Sequence, residues 1–547
     1  MRWFVVFLLL RAWAGLVWAV QIPPWEASDE PFHYQYIARL AEFGEYPTTS
    51  NPMHIQPPLY YLISAAFVRL TGHTSRISAF VPPQNPYFRS GDGGINFTFR
   101  TRTPDGERQR AEATLVTLRW MTVLMSLLTC ALFWRIAKLP ALLFIFLPQF
   151  LFSTSTITND SLAALWGVVL LWSMLRAQRR ASTGRIFTLM LLCLVAVFIK
   201  LSLVPLILVA LSLIWLTVPL KLRLISLILG CAAIGLAILL LSSASHILIP
   251  FVDEVGGRPA WETLLYRLRE GRFDLIGESL RYGIESLPVR LGWGNVPLPT
   301  WISFGWWLMV GIGVFASFWR GGVSAEGTPN DHPLLCQIAL VAVAAGVMLS
   351  VLYSNITLLN GRYLLPALSA LMLLVLLGYR RLGRWGRQIL ALGMLGTIML
   401  SITLPHQIAK LYRQPTAVAA TDIPTMQPHR VVSNIELVAY KVQPSAQRGE
   451  DVEITVFWRA VRPIARFYSL RLEFIGPDGG GYGMYQTVFG NGTYPTTEWR
   501  VHETFRDIYR LPIRRDFPAP AIGYVKITLV EAGASLLLED GPVNVRP

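Results

Sequence analysis

Apolar runs of near-spanning length recur through the first three quarters of this chain, and they decide most of what it can become. A transmembrane helix needs about 20 predominantly apolar residues, and about eleven candidate runs of that kind can be counted. They are residues 3–20, 113–134, 139–152, 161–175, 186–199, 201–219, 222–243, 300–319, 334–353, 363–378 and 388–404. Two of them, 139–152 and 186–199, are short enough to be tilted or partly re-entrant. Hydrophobic residues make up 53% of the sequence and charged residues 15%, against roughly 25% charged in soluble domains. A soluble core has no room for that much apolar surface. The composition excludes a disordered chain and disfavours an ordinary cytosolic enzyme.

The charge distribution supplies a direction. Lys and Arg outnumber Asp and Glu by 48 to 33, a formal net charge of +15. The basic residues lie in short clusters between apolar runs, as cytoplasmic membrane loops do, and not along a nucleic-acid-binding face. Arg135/Lys138, Arg176/Arg179/Arg180/Arg185, Lys221/Arg223, Arg320 and Arg380/Arg381/Arg384/Arg387 all fall on one side of the span count. Arg2 joins them, so the N-terminus is expected in the cytoplasm of a cell-membrane protein. An odd number of spans then puts the C-terminus outside. Residues 3–20 also admit a signal-peptide reading, with Val17-Trp18-Ala19 near a cleavage site. Arg11, in mid-segment, suits neither reading and needs a partner within the bundle. The four cysteines, Cys130, Cys193, Cys231 and Cys336, sit in or beside apolar runs without CxxC spacing, and read as small buried hydrophobes.

This pattern predicts a polytopic α-helical body over residues 1–405, with large external loops at 21–112 and 244–299. A separate external domain follows over 406–547. Within the first loop, 56–70 reads as an apolar helix too short to span and lying along the membrane surface. The tail changes period to short β-rich runs at 435–442, 452–460, 468–475, 505–511 and 524–530. Pro477-Asp478-Gly479-Gly480 marks a turn between two of them. An antiparallel β-sandwich of about 120 residues fits that spacing.

Chemistry is expected at the start of the first loop, Pro23-Pro24-Trp25-Glu26-Ala27-Ser28-Asp29-Glu30-Pro31-Phe32-His33-Tyr34. Pro31 suits the first turn of a helix that Ser28 can cap. Asp29 and His33 are then i and i+4, and Glu30 and His33 are i and i+3, so all three share one face. A partly desolvated carboxylate near the bilayer boundary can serve as a general base. Equally, an acidic pair at a helix N-terminus can merely complement the helix dipole.

Further motifs lie downstream. They are Gln56-Pro57-Pro58-Leu59-Tyr60-Tyr61, Thr158-Asn159-Asp160-Ser161, Phe198-Ile199-Lys200, and Asn360-Gly361-Arg362-Tyr363-Leu364-Leu365-Pro366. Together with Asp29-Glu30-Pro31-x-His33, their order resembles the polytopic glycosyltransferases of the GT-C fold. That group includes the protein O-mannosyltransferases, the lipid A aminoarabinose transferases and related bacterial membrane enzymes. The resemblance covers about residues 1–405.

It implies transfer of a sugar from a polyprenyl phosphate to a glycan, lipid or protein acceptor on the external face. Asp29 would be the catalytic base, with Glu30 and His33 orienting the base or the acceptor. Inversion at the anomeric carbon follows. Aminoarabinose transferases carry Lys before the Pro-Pro pair, where this chain has Gln56, so another cation must neutralise the donor phosphate. Lys200 and Arg362 are the candidates, Arg362 for its planar fork, beside Tyr363. For both, snorkelling to the headgroup region is the structural alternative. Asp160 would assist the first acid, or else simply cap its helix.

Glu26, Asp29, Glu30, His33 and His54 offer donors for a divalent metal, which no HxxxH or HExxH spacing supports, and no other cofactor is expected. The tail, through Val456-Phe457-Trp458-Arg459-Ala460 and Asn491-Gly492-Thr493-Tyr494-Pro495, resembles β-sandwiches appended to such membrane proteins. Trp458, Trp499, Tyr482 and Tyr485 are candidates for sugar stacking or for the sandwich core. Two rival functions stay open. One is a transporter or flippase for a lipid-linked saccharide. The other is a non-catalytic scaffold whose β-domain binds glycan. A transporter would want charges deep within several spans, whereas here they collect at the span ends, Arg11 excepted.

Overall fold

A computed structural model describes residues 2–48, 50–73, 75–88, 97–98, 105–138, 141–217, 300–318 and 361–547. Shorter described pieces lie at 269–271, 281, 283–288, 290–292, 296, 299, 334–338 and 341. The chain divides into two compact units. One comprises Met1–Val81 and Glu107–Ile408, the other Pro82–Gly106 and Ala409–Pro547.

The first unit is helical. Its described helices are α1 (Arg2–Gln21), α2 (Glu30–Phe43), α3 (Leu59–Leu70), α4 (Asp105–Ala137), α5 (Leu142–Ile145) and α6 (Pro148–Ser153). They continue as α7 (Asp160–Arg179), α8 (Thr183–Val197), α9 (Val204–Thr217), α10 (Thr300–Phe318), α11 (Leu365–Arg381) and α12 (Gly383–Leu411). Among the described residues six helices are long and apolar enough to cross a membrane: α1, α4, α7, α10, α11 and α12. Their apolar side chains divide by face. Trp3, Leu9 and Trp13 of α1 are exposed while Ala14, Trp18 and Ala19 are buried. A bilayer-facing helix is expected to show outward apolar surface of this kind.

Three candidate runs give only shorter helices among the described residues. Residues 139–152 break into α5 and α6. Pro148 has no N–H to continue a helix, and the preceding Leu147 is extended at φ −61°, ψ 126°. Residues 186–199 and 201–219 give α8 and α9, of 15 and 14 residues. At 1.5 Å per residue each is only about 22 Å long or less. A turn at 198–203 joins them. Candidate 222–243, most of 334–353 and most of the loop 244–299 fall outside the described residues.

The first loop is more ordered than a connection. α2 and α3 pack together, burying Tyr34, Ile37, Tyr60, Tyr61 and Val68. The rings of Tyr36 and Tyr61 stack at 3.8 Å. α4 begins eight residues before its apolar run, because the polar segment 105–112 extends the helix with an i,i+4 ion pair, Arg108–Glu112 at 2.8 Å.

The second unit contains two sheets, ordered β1-β2-β4-β7 and β3-β9-β8-β5-β6. The strands are β1 (His429–Val432), β2 (Ile435–Val442), β3 (Ser445–Gln447), β4 (Asp451–Ala460) and β5 (Ser469–Ile475). The others are β6 (Gly481–Val488), β7 (Thr504–Pro512), β8 (Ala521–Leu529) and β9 (Ala534–Arg546). Pairing is antiparallel except between β3 and β9. Period-two alternation builds the core. Val452, Ile454, Val456, Trp458 and Ala460 of β4 point inward to join Leu470, Leu472 and Phe474 of β5 and Val525 and Ile527 of β8. The β5–β6 hairpin turns at the expected Pro-Asp-Gly-Gly, where Gly479 takes φ +75° and Asp478 accepts from Gly480 N at 3.0 Å. Trp458 and Trp499 are core residues. Part of the first loop also belongs to this unit. Asn85 N bonds Phe97 O at 2.8 Å, and the Tyr87 hydroxyl donates to Ser469 Oγ at 2.9 Å.

Candidate active site

The site begins where α1 ends. Between α1 and α2 the chain makes a tight turn in which Trp25 and Asp29 both adopt positive φ, 73° and 61°. Asp tolerates the left-handed region better than most residues. Asp29 occupies the N-cap position of α2, with Pro31 in the first turn as expected. Its backbone carbonyl accepts from His33 N at 2.9 Å. Its side chain makes no capping bond. Ser28, expected as the cap, instead donates its hydroxyl to Gly292 O. The Asp29 carboxylate is therefore turned away from its own helix, and it accepts from Arg362 Nη2.

Asp160 and Lys200 arrive on an antiparallel pair. α7 starts at Asp160, and α8, joined to it by a short link, ends just before Lys200, so the two residues meet at one end. Lys200 Nζ donates to Asp160 Oδ1 at 2.6 Å and to Asn159 Oδ1 at 2.7 Å. Thr158 Oγ1 donates to Asp160 Oδ2 at 3.0 Å. Asp160 is thus the acceptor of an ion pair, and the capping alternative is not what its side chain does. Asn159 Nδ2 donates to Gln56 Oε1 at 3.0 Å, so Gln56 touches this cluster through Asn159.

Arg362 lies in a 3-10 turn that opens α11. Two glycines let the backbone approach closely here. A Cβ on Gly167 of α7 would fall 2.1 Å from Pro366 O, and one on Gly361 would fall 2.5 Å from Leu287 Cα. Gly361 N donates to Ser286 Oγ at 2.5 Å. The closeness of α7 and α11 carries Arg362 to Asp160 as well as to Asp29, with Arg362 Nε 3.7 Å from Asp160 Oδ2. Arg362 Nη1 also reaches Ser28 O at 3.4 Å. The Tyr363 ring lies 5.7 Å from both the Lys200 ammonium and the Arg362 guanidinium.

Asp29, Asp160, Lys200, Arg362 and Tyr363, drawn from four separated segments, are therefore one cluster. Its exposure is graded. Side-chain exposure is 0% for Asp160, 9% for Lys200, 10% for Arg362 and 21% for Asp29.

Glu30 and His33 stand differently from Asp29. Glu30 is fully buried and bound by Arg119 through two parallel bonds, with Ile157 N donating to Oε1 at 3.1 Å. Arg119 donates as well to the carbonyls of Ala19 at 2.7 Å, Ile22 at 2.6 Å and Pro23 at 3.0 Å. These are orphan carbonyls at and beyond the end of α1. Arg119 ties that end to the first turn of α2, and so fixes the turn that presents Asp29. Arg119 belongs to none of the motifs in the sequence, and its one signal there is a lone Arg inside the apolar run 113–134. Charges therefore do not collect only at run ends. Arg11, within the apolar helix α1, is likewise buried and donates from Nη2 to Thr154 Oγ1 at 2.7 Å.

His33 Nδ1 bonds the Tyr61 hydroxyl at 2.8 Å, and its ring stacks on Tyr61. Burial holds the imidazole down at about 3 despite the opposing pull of Asp29, so His33 is neutral near pH 7. For Asp29, burial pushes the carboxyl up, but the Arg362 guanidinium, with Lys200 behind it, outweighs that and holds it below the ordinary carboxylate range. Asp29 is an ionised acceptor with an accessible edge. Arg362 and Lys200 are cations able to meet an anion. Among the described residues no group of three or more His, Cys, Asp or Glu side chains is placed to hold a metal ion.

No protein-family model matches the chain, and it matches neither a curated protein nor a solved structure.

Proposed function

We propose that this protein is a membrane glycosyltransferase of GT-C type that moves a sugar from a polyprenyl-phosphate donor to a hydroxyl acceptor at the extracytoplasmic face. The observation that carries the reading is the Asp29–Arg362 contact. It joins residues 333 apart in sequence, one suited to be a base and the other suited to bind phosphate. Asp160 and Lys200, on two further segments, complete the same network.

In this reading Asp29 takes the proton of the acceptor hydroxyl as that oxygen attacks the anomeric carbon. The bond from that carbon to the phosphate oxygen breaks on the opposite face, and polyprenyl phosphate departs with the electron pair. Inversion follows. Arg362, assisted by Lys200, receives the growing charge on the phosphate. Glu30 acts through position, holding α2 by way of Arg119, and neutral His33 packs beneath the base. The reading includes a polytopic helical body with a cytoplasmic N-terminus, supported by the one-sided Lys/Arg clusters. The β-sandwich is then extracytoplasmic.

Purified full-length protein, given polyprenyl-phosphate hexoses and pentoses with membrane extract as acceptor, should release polyprenyl phosphate and form a glycoside of inverted configuration by NMR. Retention of configuration, or transfer from a nucleotide sugar in preference to the lipid, would refute the reading.

A further inference from the structure

We propose that Arg362 is a donor-operated lock on Asp29: the guanidinium holds the base in an ion pair until a donor phosphate competes for it. The inference rests on the polyprenyl-phosphate reading above and adds an order of events to it.

Four observations lead there. First, the Asp29 carboxylate accepts from Arg362 Nη2. A carboxylate accepting from a guanidinium has its lone pair engaged and its basicity reduced, which is the wrong state for deprotonating an alcohol. Second, the remaining members of the cluster are matched to each other. Lys200 satisfies Asp160 at 2.6 Å, with Thr158 adding a third contact, whereas Arg362 Nε stands 3.7 Å from Asp160. Lys200–Asp160 and Arg362–Asp29 are thus two ion pairs, and the second contains the planar fork suited to phosphate. Third, Asp29 has the most exposed side chain of the four, 21% against 10% for Arg362, 9% for Lys200 and 0% for Asp160. The cluster therefore opens to its surroundings at the Asp29 edge, where Arg362 is the cation in contact.

The fourth is charge balance. Asp29 and Asp160 contribute −2, and Lys200 and Arg362 contribute +2, so the cluster is neutral at rest. A phosphodiester donor brings −1. In the transfer Asp29 gains a proton and becomes neutral, while the leaving phosphate goes from −1 to −2. The total is unchanged, and one negative charge has in effect moved from Asp29 to the phosphate. A guanidinium between the two can follow that charge, releasing Asp29 as it takes the phosphate fork to fork. The donor must then bind before the base is competent.

Donor and Asp29 therefore compete for one cation, so removing the carboxylate charge should strengthen phosphate binding. The test measures undecaprenyl phosphate binding to full-length protein in nanodiscs. Asp29→Asn should bind at least about threefold more tightly than wild type, Arg362→Ala about tenfold or more weakly, and the double variant like Arg362→Ala alone. Asp29→Ser gives the same reading if the Asn variant folds poorly. Unchanged or weaker binding by the Asp29 variants, with Arg362→Ala still weakened, overturns the lock and leaves the donor reading standing. Binding absent from wild type, or unaffected by Arg362→Ala, overturns the phosphate role and the lock together.

Discussion

Arg119 grips Glu30 in a two-pronged contact, Nε to Oε1 at 2.8 Å and Nη2 to Oε2 at 2.6 Å, with both side chains essentially out of solvent. Removing one member of such a pair leaves a buried charge without compensation and costs about 3–5 kcal/mol. Glu30→Ala and Arg119→Ala should each lower the thermal midpoint of the detergent-solubilised protein sharply. Glu30→Gln, which keeps an acceptor for Ile157 N, should lose less. Equal losses for Ala and Gln would show that the carboxylate's hydrogen bonds contribute nothing separable from its charge.

His33 supplies a pH signature. Its folded-state value is depressed to about 3, below the 6.5 of an unperturbed imidazole. A depressed group stabilises the fold above its unfolded pKa, and that contribution is lost as pH falls from 6.5 toward 3. The slope approaches about 1.4 kcal/mol per pH unit once the unfolded imidazole is protonated. Unfolding of wild type and His33→Gln, followed from pH 7.5 to 4, should show the wild-type advantage shrinking below pH 6.5. A constant difference across that range would mean His33 is not held neutral.

Gly167 tests the helix contact that delivers Arg362. A methyl there would press on the Pro366 carbonyl, in backbone that has no flexible end to yield. Gly167→Ala should cost about 1–3 kcal/mol and reduce activity by shifting α11, whereas Gly184→Ala, with nothing within 4 Å of its Cβ, should not. Thermal midpoints and turnover of the two variants separate a local packing effect from a general loss of helix quality.

The β-domain holds its own titrating group. Asp507 sits on the inward face of β7, between Phe505 and Tyr509, and accepts from Gly490 N at 2.6 Å and from the Tyr509 hydroxyl. Burial pushes its carboxyl up to about 6. A raised carboxyl favours the folded state most below the unfolded value near 3.8, and that advantage is lost as pH rises to about 6. Relative to Asp507→Asn, the wild-type domain should lose on the order of 2 kcal/mol between pH 4 and 6.5. Domain unfolding in the full chain, reported by the near-ultraviolet signal of its core tryptophans, measures this. No pH dependence in the difference would contradict it.

Much of this architecture is readable from period and composition. Strand β2 covers the anticipated 435–442, and β4, β5, β7 and β8 lie within a few residues of their runs, because inward Val, Ile and Trp alternate cleanly. β6 and β9 escape notice. β6 carries Gly481 and Gly483, and β9 is interrupted by Glu539, Asp540, Gly541 and Pro542, which mask an extended segment. Hydropathy likewise does not register that Pro148 divides a run or that α8 stops short of a bilayer's thickness. In the site, Asp29, Asp160, Lys200 and Arg362 were each visible as motif residues. That they share one network depends on the antiparallel α7–α8 pair and on the Gly167–Pro366 approach, which one-dimensional spacing does not encode. The roles of Glu30 and Arg119 as a clamp follow only from their meeting across 89 positions.

Removal of the acceptor proton by Asp29 is tested by the single-turnover rate of sugar transfer from a saturating polyprenyl-phosphate sugar by Asp29→Asn. Asn keeps the size of Asp29 but cannot take up the proton. General-base removal predicts a rate lower by about 100-fold or more, with the protein still folded. A rate within about threefold of wild type, well short of what loss of a general base produces, would contradict the account.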